Sequence, residues 1–147
     1  MNNPGLESAI EEAEIGLADG GIPIGSAIMV DGVIVGRGHN QRIQKSSATL
    51  HAEMDALENA GRLSAATYKR SIIYTTLSPC DMCSGAILLY GIPKVVIGEN
   101  TTFIGAESHL RSRGVQVEVF DDQRCFDLMT NFIDTRPDLW NEDIGAE

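Results

Sequence analysis

The chain has 147 residues, of which 43% are hydrophobic and 22% are charged, an ordinary composition for one soluble globular domain. Its 11 basic and 21 acidic residues give a net charge of −10, which argues against binding to the phosphate backbone of nucleic acid. The sequence has no run of about 20 apolar residues that could span a membrane. Its first residues lack the basic and apolar regions of a signal peptide. We therefore expect a single domain over residues 1–147, located in the cytoplasm, with neither nucleic acid nor a membrane as a partner.

The first elements are a predicted helix and a predicted hairpin. Four apolar residues recur at helical spacing, namely Leu6, Ile10, Ala13 and Leu17. The sequence Asp19-Gly20-Gly21 ends this helix. Two runs of β-forming residues, 26–30 and 33–35, flank Asp31-Gly32, a pair typical of a two-residue hairpin turn.

The middle of the chain alternates between helix and strand. A polar loop over residues 38–49 precedes a helix predicted over about residues 51–60, which Gly61 ends. Residues 71–76 are rich in β-forming side chains and predict a buried strand. A further helix is expected to open at Ser78-Pro79 and to end near Gly91.

The last part of the chain predicts two strands and two helices. The strands are expected at residues 94–98 and 115–120, with a short helix over about 106–113 between them. A long helix follows, with one apolar stripe formed by Cys125, Leu128, Met129, Phe132 and Ile133. Pro137 is expected to break this helix and to leave an acidic tail that contains Trp140. This alternation predicts an α/β fold, a three-layer α/β/α sandwich around a mixed sheet of about five strands, parallel in its second half.

Two short motifs carry the chemistry, His51-Ala52-Glu53 and Pro79-Cys80-Asp81-Met82-Cys83. Both lie at predicted helix N-termini, where the partial positive charge of the helix favours thiolates over thiols. Two thiolates, from Cys80 and Cys83, and the imidazole of His51 are ligands that zinc prefers. Three protein ligands leave the fourth position for water, as in catalytic zinc sites. Glu53 is not needed as a ligand, so it could take a proton from that water.

Two other interpretations compete with a catalytic zinc site. A Cys-x-x-Cys pair at a helix start can be a redox centre, but such a centre needs neither His51 nor Glu53. A structural zinc site would need a fourth ligand such as His39 or Cys125, although the stripe of the last helix directs Cys125 toward the core. His109, on a charged helix, is expected in solvent. The joint match to His-x-Glu…Pro-Cys-x-x-Cys, the signature of zinc deaminases, favours the catalytic interpretation.

These motifs resemble the cytidine-deaminase-like superfamily, and the sequence around them resembles more closely the small fungal-type cytosine deaminases. The resemblance extends over almost the whole chain, including stretches without catalytic residues. Its main segments are residues 20–25, 36–40, 47–51, 74–83, 90–93, 98–100 and 142–145.

The resemblance implies a homodimeric enzyme of pyrimidine salvage that deaminates a free pyrimidine base, most directly cytosine and water to uracil and ammonia. It implies one zinc ion per chain on His51, Cys80 and Cys83, with hydroxide on that zinc as the nucleophile. Glu53 would carry protons to the ring nitrogen and to the leaving ammonia. The base-binding residues that it implies are Asn40, the Ala52 backbone, the Ser78 carbonyl, Asp143, the covering aromatic residues Phe103 and Trp140, and the lining residues Ile24 and Leu77.

Alternatives remain open for these residues. Without the resemblance, Asn40 could be a turn residue and Asp143 a solvated charge or a helix cap, while Phe103 and Trp140 could be core aromatic residues.

Alternatives also remain open for the substrate. Ala52 and Ser26 stand where the resembled family carries glycine, which leaves isocytosine, a 5-substituted cytosine, an amino-triazine or guanine as alternatives to cytosine. An adenosine in RNA is another alternative, disfavoured by the acidic charge. The non-enzymatic alternative is a structural zinc or interaction module.

Overall fold

A computed structural model describes residues 3–146 of the chain. Its strands are Gly25–Val30 (β1), Val33–His39 (β2), Ser71–Leu77 (β3), Lys94–Glu99 (β4) and Gln116–Val119 (β5). Its helices are Pro4–Ala18 (α1), Ala52–Ala60 (α2), Ala65–Tyr68 (α3), Asp81–Tyr90 (α4), Glu107–Ser112 (α5), Gln123–Thr135 (α6) and Pro137–Asp143 (α7). Over this described range, every helix is too short or too polar to cross a bilayer.

The strands form one mixed sheet in the order β2-β1-β3-β4-β5. β1 runs antiparallel to both β2 and β3, whereas β3, β4 and β5 are parallel to one another. The hairpin between β1 and β2 turns at Asp31 and Gly32, whose φ angles of 50° and 82° are those that a tight two-residue hairpin turn requires. The predicted mixed sheet, with its parallel second half, is confirmed.

Helices cover both faces of this sheet. Neighbouring residues of a strand point to opposite faces, so the strands contribute to a separate apolar cluster on each face. The cluster under α1 and α6 contains Leu6, Ala9, Ile10, Ala27, Tyr74, Val96 and Cys125. The cluster under α2, α4 and α5 includes Ile28, Ala56, Ile73, Ile87, Val95, Ile97 and Leu110. The predicted three-layer α/β/α sandwich is therefore confirmed, as is the inward position of Cys125.

Several predicted boundaries were wrong. β2 continues to His39, within the predicted polar loop, because residues 36–39 remain paired with β1. Ser78-Pro79 does not open α4, which begins at Asp81 after Cys80 as its N-cap. The side of α1 that faces the protein includes Gly16, whereas Leu17 is 42% exposed.

Two helices were missed. α3 is a single turn, capped by the hydroxyl of Ser64, and is too short for a hydrophobic period to reveal it. The predicted acidic tail after Pro137 was wrong, since this segment forms α7. Proline has no N–H to donate, so it ends α6 but fits the first turn of a new helix, where the N–H groups need no partner in the helix.

Two glycines of β2 set the depth at which α2 lies on the sheet. A Cβ atom on Gly36 would lie 2.6 Å from the carbonyl oxygen of Ala56, and one on Gly38 would lie 2.6 Å from the amide nitrogen of the same residue. Both contacts are with helix backbone, which cannot move without shifting the whole of α2. Because His51 and Glu53 lie at the start of α2, this close packing also places two of the predicted site residues.

Substitution Gly36→Ala should lower the free energy of unfolding by about 1–3 kcal/mol, because the added methyl group overpacks the contact between β2 and α2. The matched control is Gly85→Ala. Gly85 is exposed on α4, and a Cβ atom there would have no neighbour within 4 Å. Removing a glycine from a helix interior should raise the stability by up to about 1 kcal/mol. Urea unfolding of both variants measures the difference, and equal stabilities would contradict the close packing of α2.

Candidate metal centre and substrate cavity

The three predicted metal ligands meet where two helices begin. His51 is the N-cap of α2, Cys80 is the N-cap of α4, and Cys83 lies in the first turn of α4. One ligand atom from each lies within 4.8 Å of the others. Neither N-cap side chain makes a capping hydrogen bond, so the imidazole and the thiol of Cys80 face each other rather than the helix backbone.

The geometry and the chemistry of this group fit zinc. A tetrahedral zinc ion, with bonds of about 2.0–2.1 Å to nitrogen and about 2.3 Å to sulfur, holds such ligand atoms about 3.6 Å apart. The distance from His51 Nδ1 to Cys80 Sγ is 3.4 Å. Two sulfur donors and one imidazole are also the donor set that zinc prefers.

A fourth protein ligand does not join this group within residues 3–146. The two residues considered for that role are used elsewhere. His39 Nδ1 lies 2.9 Å from a carboxylate oxygen of Glu12, and Cys125 lies in the cluster under α1 and α6. His109 is exposed, as expected. The described part of the chain thus offers three ligands, the number found in catalytic zinc sites, and gives no support to a closed structural site.

The pKa values of the three predicted ligands are shifted in different directions. The hydrogen bond with Cys83 is the main cause that lowers the pKa of Cys80 to about 4, and His51 adds to this effect against that of burial. Burial lowers the pKa of His51, but its contacts with Asp143 and Cys80 outweigh burial and raise this pKa to about 10. The hydrogen bond with Cys80, together with burial and the nearby charge of Glu53, raises the pKa of Cys83. Because metal ligands must be deprotonated, binding of zinc to this group releases protons.

Glu53 lies in the first turn of α2, two residues after His51, and is only 4% exposed. Its burial and the nearby charge of Cys80 raise the pKa of its carboxyl group to about 7. A carboxyl group with a pKa near neutrality can both accept and donate a proton during one reaction cycle.

A small cavity opens beside the metal group. Its lining comprises Ile24, His51, Ala52, Glu53, Leu77, Ser78, Cys80, Phe103, Trp140, Asp143 and Ile144. Two predicted residues, Asn40 and Cys83, are fully buried and are not among these lining residues. Apolar walls with a few convergent polar groups suit a small planar ligand, whose faces pack while its edge is hydrogen-bonded.

An aromatic pair covers the cavity. The rings of Phe103 and Trp140 meet edge to face, with centroids 5.8 Å apart and an angle of 89° between their planes. Trp140 is on α7, and Phe103 is on the loop between β4 and α5. The buried carboxylate of Glu99 holds this loop by accepting from the N–H groups of Thr101 at 2.7 Å and Thr102 at 3.0 Å. The cover thus comes from two segments that are distant in sequence.

Asp143 occupies the centre of a polar network. Its Oδ2 accepts from Asn40 Nδ2 at 3.0 Å, and its Oδ1 lies 2.7 Å from Arg42 Nε and 3.4 Å from His51 Nε2. The side chain is 2% exposed. Burial raises the pKa of Asp143, but the His51 and Arg42 contacts outweigh it and hold the pKa below its usual range. Asp143 is therefore neither a solvated tail charge nor an N-cap, since it ends α7.

Ser78 uses most of its polar groups within the protein. Its hydroxyl donates to Glu107 at 2.6 Å and accepts from the N–H of Gly105 at 2.9 Å, and its own N–H donates to the Glu99 carbonyl. Among the contacts described for residues 3–146, its carbonyl oxygen is the atom that remains available to a ligand.

Ala52 and Ser26, two of the positions that depart from the resembled family, differ in their relation to the cavity. Ala52 is fully buried and belongs to the cavity lining, so its methyl group bears on the shape of the cavity. Ser26 lies in β1, where its hydroxyl donates to the carbonyl oxygen of Tyr74 at 2.6 Å. The hydroxyl group of Ser26 therefore makes its hydrogen bond within the sheet, and Ser26 is not one of the residues that line the cavity.

Two residues of this region were missed in the sequence, Arg42 and Ile144. Arg42 pairs with Asp143 and Glu142, about 100 positions away, and no local pattern links such distant positions. Ile144 directly follows α7, so predicting its place in the lining would have required predicting that helix.

Comparison with known proteins agrees with this architecture. The profile of the family described as "Cytidine and deoxycytidylate deaminase zinc-binding region" matches residues 3–99. The chain is 58% identical over 142 residues to the cytosine deaminase of Candida albicans, which covers 96% of this chain and 95% of that protein. It is 44% identical over 110 residues to a tRNA-specific adenosine deaminase of Streptococcus pyogenes serotype M18, which covers 70% of this chain and 66% of that protein.

The fold recurs in solved structures. The structure of a guanine deaminase from Nitrosomonas europaea superposes with a TM-score of 0.72 at 20% identity, covering 90% of this chain and 85% of that one. At this identity the likeness supports the fold alone. The family profile spans the metal group and Glu53, and the fungal relative extends the match over nearly the full chain. On these grounds the chain belongs to the cytidine and deoxycytidylate deaminase family of zinc-binding proteins.

Proposed function

We propose that this protein deaminates a free nucleobase hydrolytically with the help of zinc, converting cytosine and water to uracil and ammonia. One observation carries this proposal: a metal group with three protein ligands, a buried carboxyl group and a small covered cavity lie together. The naming of the 58% identical Candida relative as a cytosine deaminase supports cytosine as the base.

His51, Cys80 and Cys83 are the residues that would hold the zinc ion. When bound, zinc supplies Lewis-acid chemistry that makes a water molecule acidic enough to react near neutral pH. Glu53 would take one proton from this water and pass it to the ring nitrogen next to the amino-bearing carbon, as the water oxygen forms a bond to that carbon. It then transfers the remaining water proton to the amino nitrogen, which leaves as ammonia as its bond to carbon breaks. A single carboxyl group with a pKa of about 7 serves both transfers.

The polar groups around the cavity would hold the base. We assign its hydrogen-bonding edge to the Asn40 side chain and the Ala52 backbone, and its exocyclic amine to the Ser78 carbonyl and Asp143. The base ring would lie against Phe103 and Trp140, with Ile24 and Leu77 along the wall. Such a site discriminates between bases, because a base with the wrong edge leaves buried polar groups without partners.

An adenosine in RNA is the second candidate substrate, supported by the 44% identical tRNA-specific relative. Two observations favour the free base. The net charge of −10 opposes the approach of a polyanion. The match to the cytosine deaminase covers 96% of the chain, and so includes most of the C-terminal third that covers the cavity, whereas the match to the tRNA enzyme covers 70%.

Three further features belong to this proposal as predictions. The catalytic domain would extend over residues 1–147, the enzyme would act in the cytoplasm, and two copies would form a homodimer. The family resemblance supports the dimer.

Substitution Glu53→Gln should lower kcat for cytosine by about 10²–10⁴-fold, because the amide cannot take up a proton. Zinc content should stay at one ion per chain, since Glu53 is not among the three ligands. Glu58→Gln is the matched control, because Glu58 is on the same helix but exposed, and its kcat should match that of the unaltered protein. Ammonia release and metal analysis provide both readouts. Full turnover by Glu53→Gln would overturn the assigned role of Glu53.

A substrate panel tests the choice of base. Ammonia release should be fastest with cytosine when cytosine, isocytosine, 5-methylcytosine, an amino-triazine and guanine are compared at equal concentration. A purine should react at least about 100-fold more slowly, since a site built for one hydrogen-bonding edge leaves polar groups unpaired with another. Preference for guanine, or for adenosine in a tRNA, would contradict the assignment to a pyrimidine base.

A further inference from the structure

We propose that Arg42 is a positioning residue: its guanidinium group fixes the Asp143 carboxylate, and with it the end of α7, in the arrangement that binds the base. This inference rests on the proposed function, because it concerns the same cavity. It adds a residue that does not line the cavity and whose action passes through Asp143.

The contacts of Arg42 form a closed ring around the base-binding pair. Its Nε lies 2.7 Å from Asp143 Oδ1, and its backbone N–H donates to Asn40 Oδ1 at 2.9 Å. Asn40 Nδ2 in turn donates to Asp143 Oδ2 at 3.0 Å. Arg42 therefore sets the orientation of the Asn40 amide through its backbone and that of the Asp143 carboxylate through its side chain.

Arg42 also joins two distant parts of the chain. A second nitrogen, Nη1, lies 2.8 Å from a carboxylate oxygen of Glu142, the residue before Asp143. A guanidinium group that contacts two successive side chains of α7 restricts this helix more than a single ion pair would. Trp140 is on the same helix. The contacts of Arg42 therefore help to position the aromatic cover of the cavity as well as its polar edge.

Arg42 supplies a positive charge next to the buried carboxylate of Asp143. Within residues 3–146, Asp143 pairs with two side chains that can be cationic, Arg42 and His51. An imidazole that binds a metal ion must be neutral. In the zinc-bound protein Arg42 is therefore the cation that remains with Asp143, whose side chain is 2% exposed. Without it, the carboxylate keeps its contacts with Asn40 and His51 but has no cation beside it within residues 3–146.

Four variants test this inference: Arg42→Gln, Arg42→Lys, Glu142→Gln and Arg124→Gln. The last is the matched control, because Arg124 makes comparable ion pairs with Glu7 at 2.7 Å and Asp122 at 2.8 Å, remote from the cavity. Steady-state kinetics with cytosine gives kcat and KM. Trp140 is the only tryptophan of the chain, so its emission and its quenching by acrylamide report on α7 directly.

Arg42→Gln should lower kcat/KM by about 10- to 100-fold, with most of the change in KM, because the base-binding groups Asn40 and Asp143 lose their orientation while Glu53 lies outside this network of contacts. Arg42→Lys should recover only part of the loss, since an ammonium group cannot reproduce the two-point contact. Glu142→Gln should cause a smaller loss, because the Glu142 side chain is 60% exposed. Acrylamide should quench Trp140 more strongly in Arg42→Gln, whereas Arg124→Gln should match the unaltered protein in every readout.

Two results would overturn the inference. One is a KM of Arg42→Gln within twofold of that of the unaltered protein. The other is unchanged quenching of Trp140 in Arg42→Gln. If the unaltered zinc-loaded protein releases no ammonia from cytosine, the proposed function fails, and the Trp140 quenching still decides whether Arg42 holds α7.

Discussion

The rest of this structure depends on one constraint, which is that the N-termini of α2 and α4 lie next to each other. α2 and α4 begin side by side, and His51 and Cys80 each lie one residue before one of these helices. His51 Nδ1 is therefore only 3.4 Å from Cys80 Sγ. The position of α4 follows from β3, which ends at Leu77 three residues before Cys80. The position of α2 follows from its close contact with the glycines of β2. The metal group therefore depends on the sheet, and a change in either strand would alter the distance between its ligands.

Residues from the C-terminal third of the chain cover the cavity beside the metal group. The loop after β4 brings Phe103 to the cavity, and α7 with the residue after it brings Trp140, Asp143 and Ile144. The other walls of the cavity come from the first two thirds of the chain. Asp143 connects the two parts, because it contacts both Asn40 and the metal ligand His51. A carboxylate next to the second nitrogen of a metal-binding imidazole fixes the orientation and the tautomer of that ring. The same residue can thus act on the metal and on the base.

The sequence was sufficient to predict the features that depend on local patterns. The hairpin at Asp31-Gly32, the alternation of helices with strands and the spacing of His51, Glu53 and Cys80 each follow from short-range rules. The features that it could not reveal depend on tertiary contacts. The end of β2 was placed too early because its pairing with β1 is not encoded in the hydrophobic pattern, and α7 was taken as a tail because Pro137 both ends one helix and begins the next. The roles of the base-binding residues came from resemblance, and the structure adds their proximity.

The central claim is that His51, Cys80 and Cys83 hold one zinc ion and leave one coordination position to a small molecule. X-ray absorption at the zinc edge of the purified, zinc-loaded protein tests this claim most directly. The account predicts one zinc ion per chain with two sulfur neighbours at about 2.3 Å and two nitrogen or oxygen neighbours at about 2.0–2.2 Å. Addition of a non-reacting base analogue should change the shell of lighter atoms and leave the sulfur shell intact. Three sulfur neighbours, or a shell of four protein ligands that no base analogue alters, would contradict the account and indicate a structural zinc site.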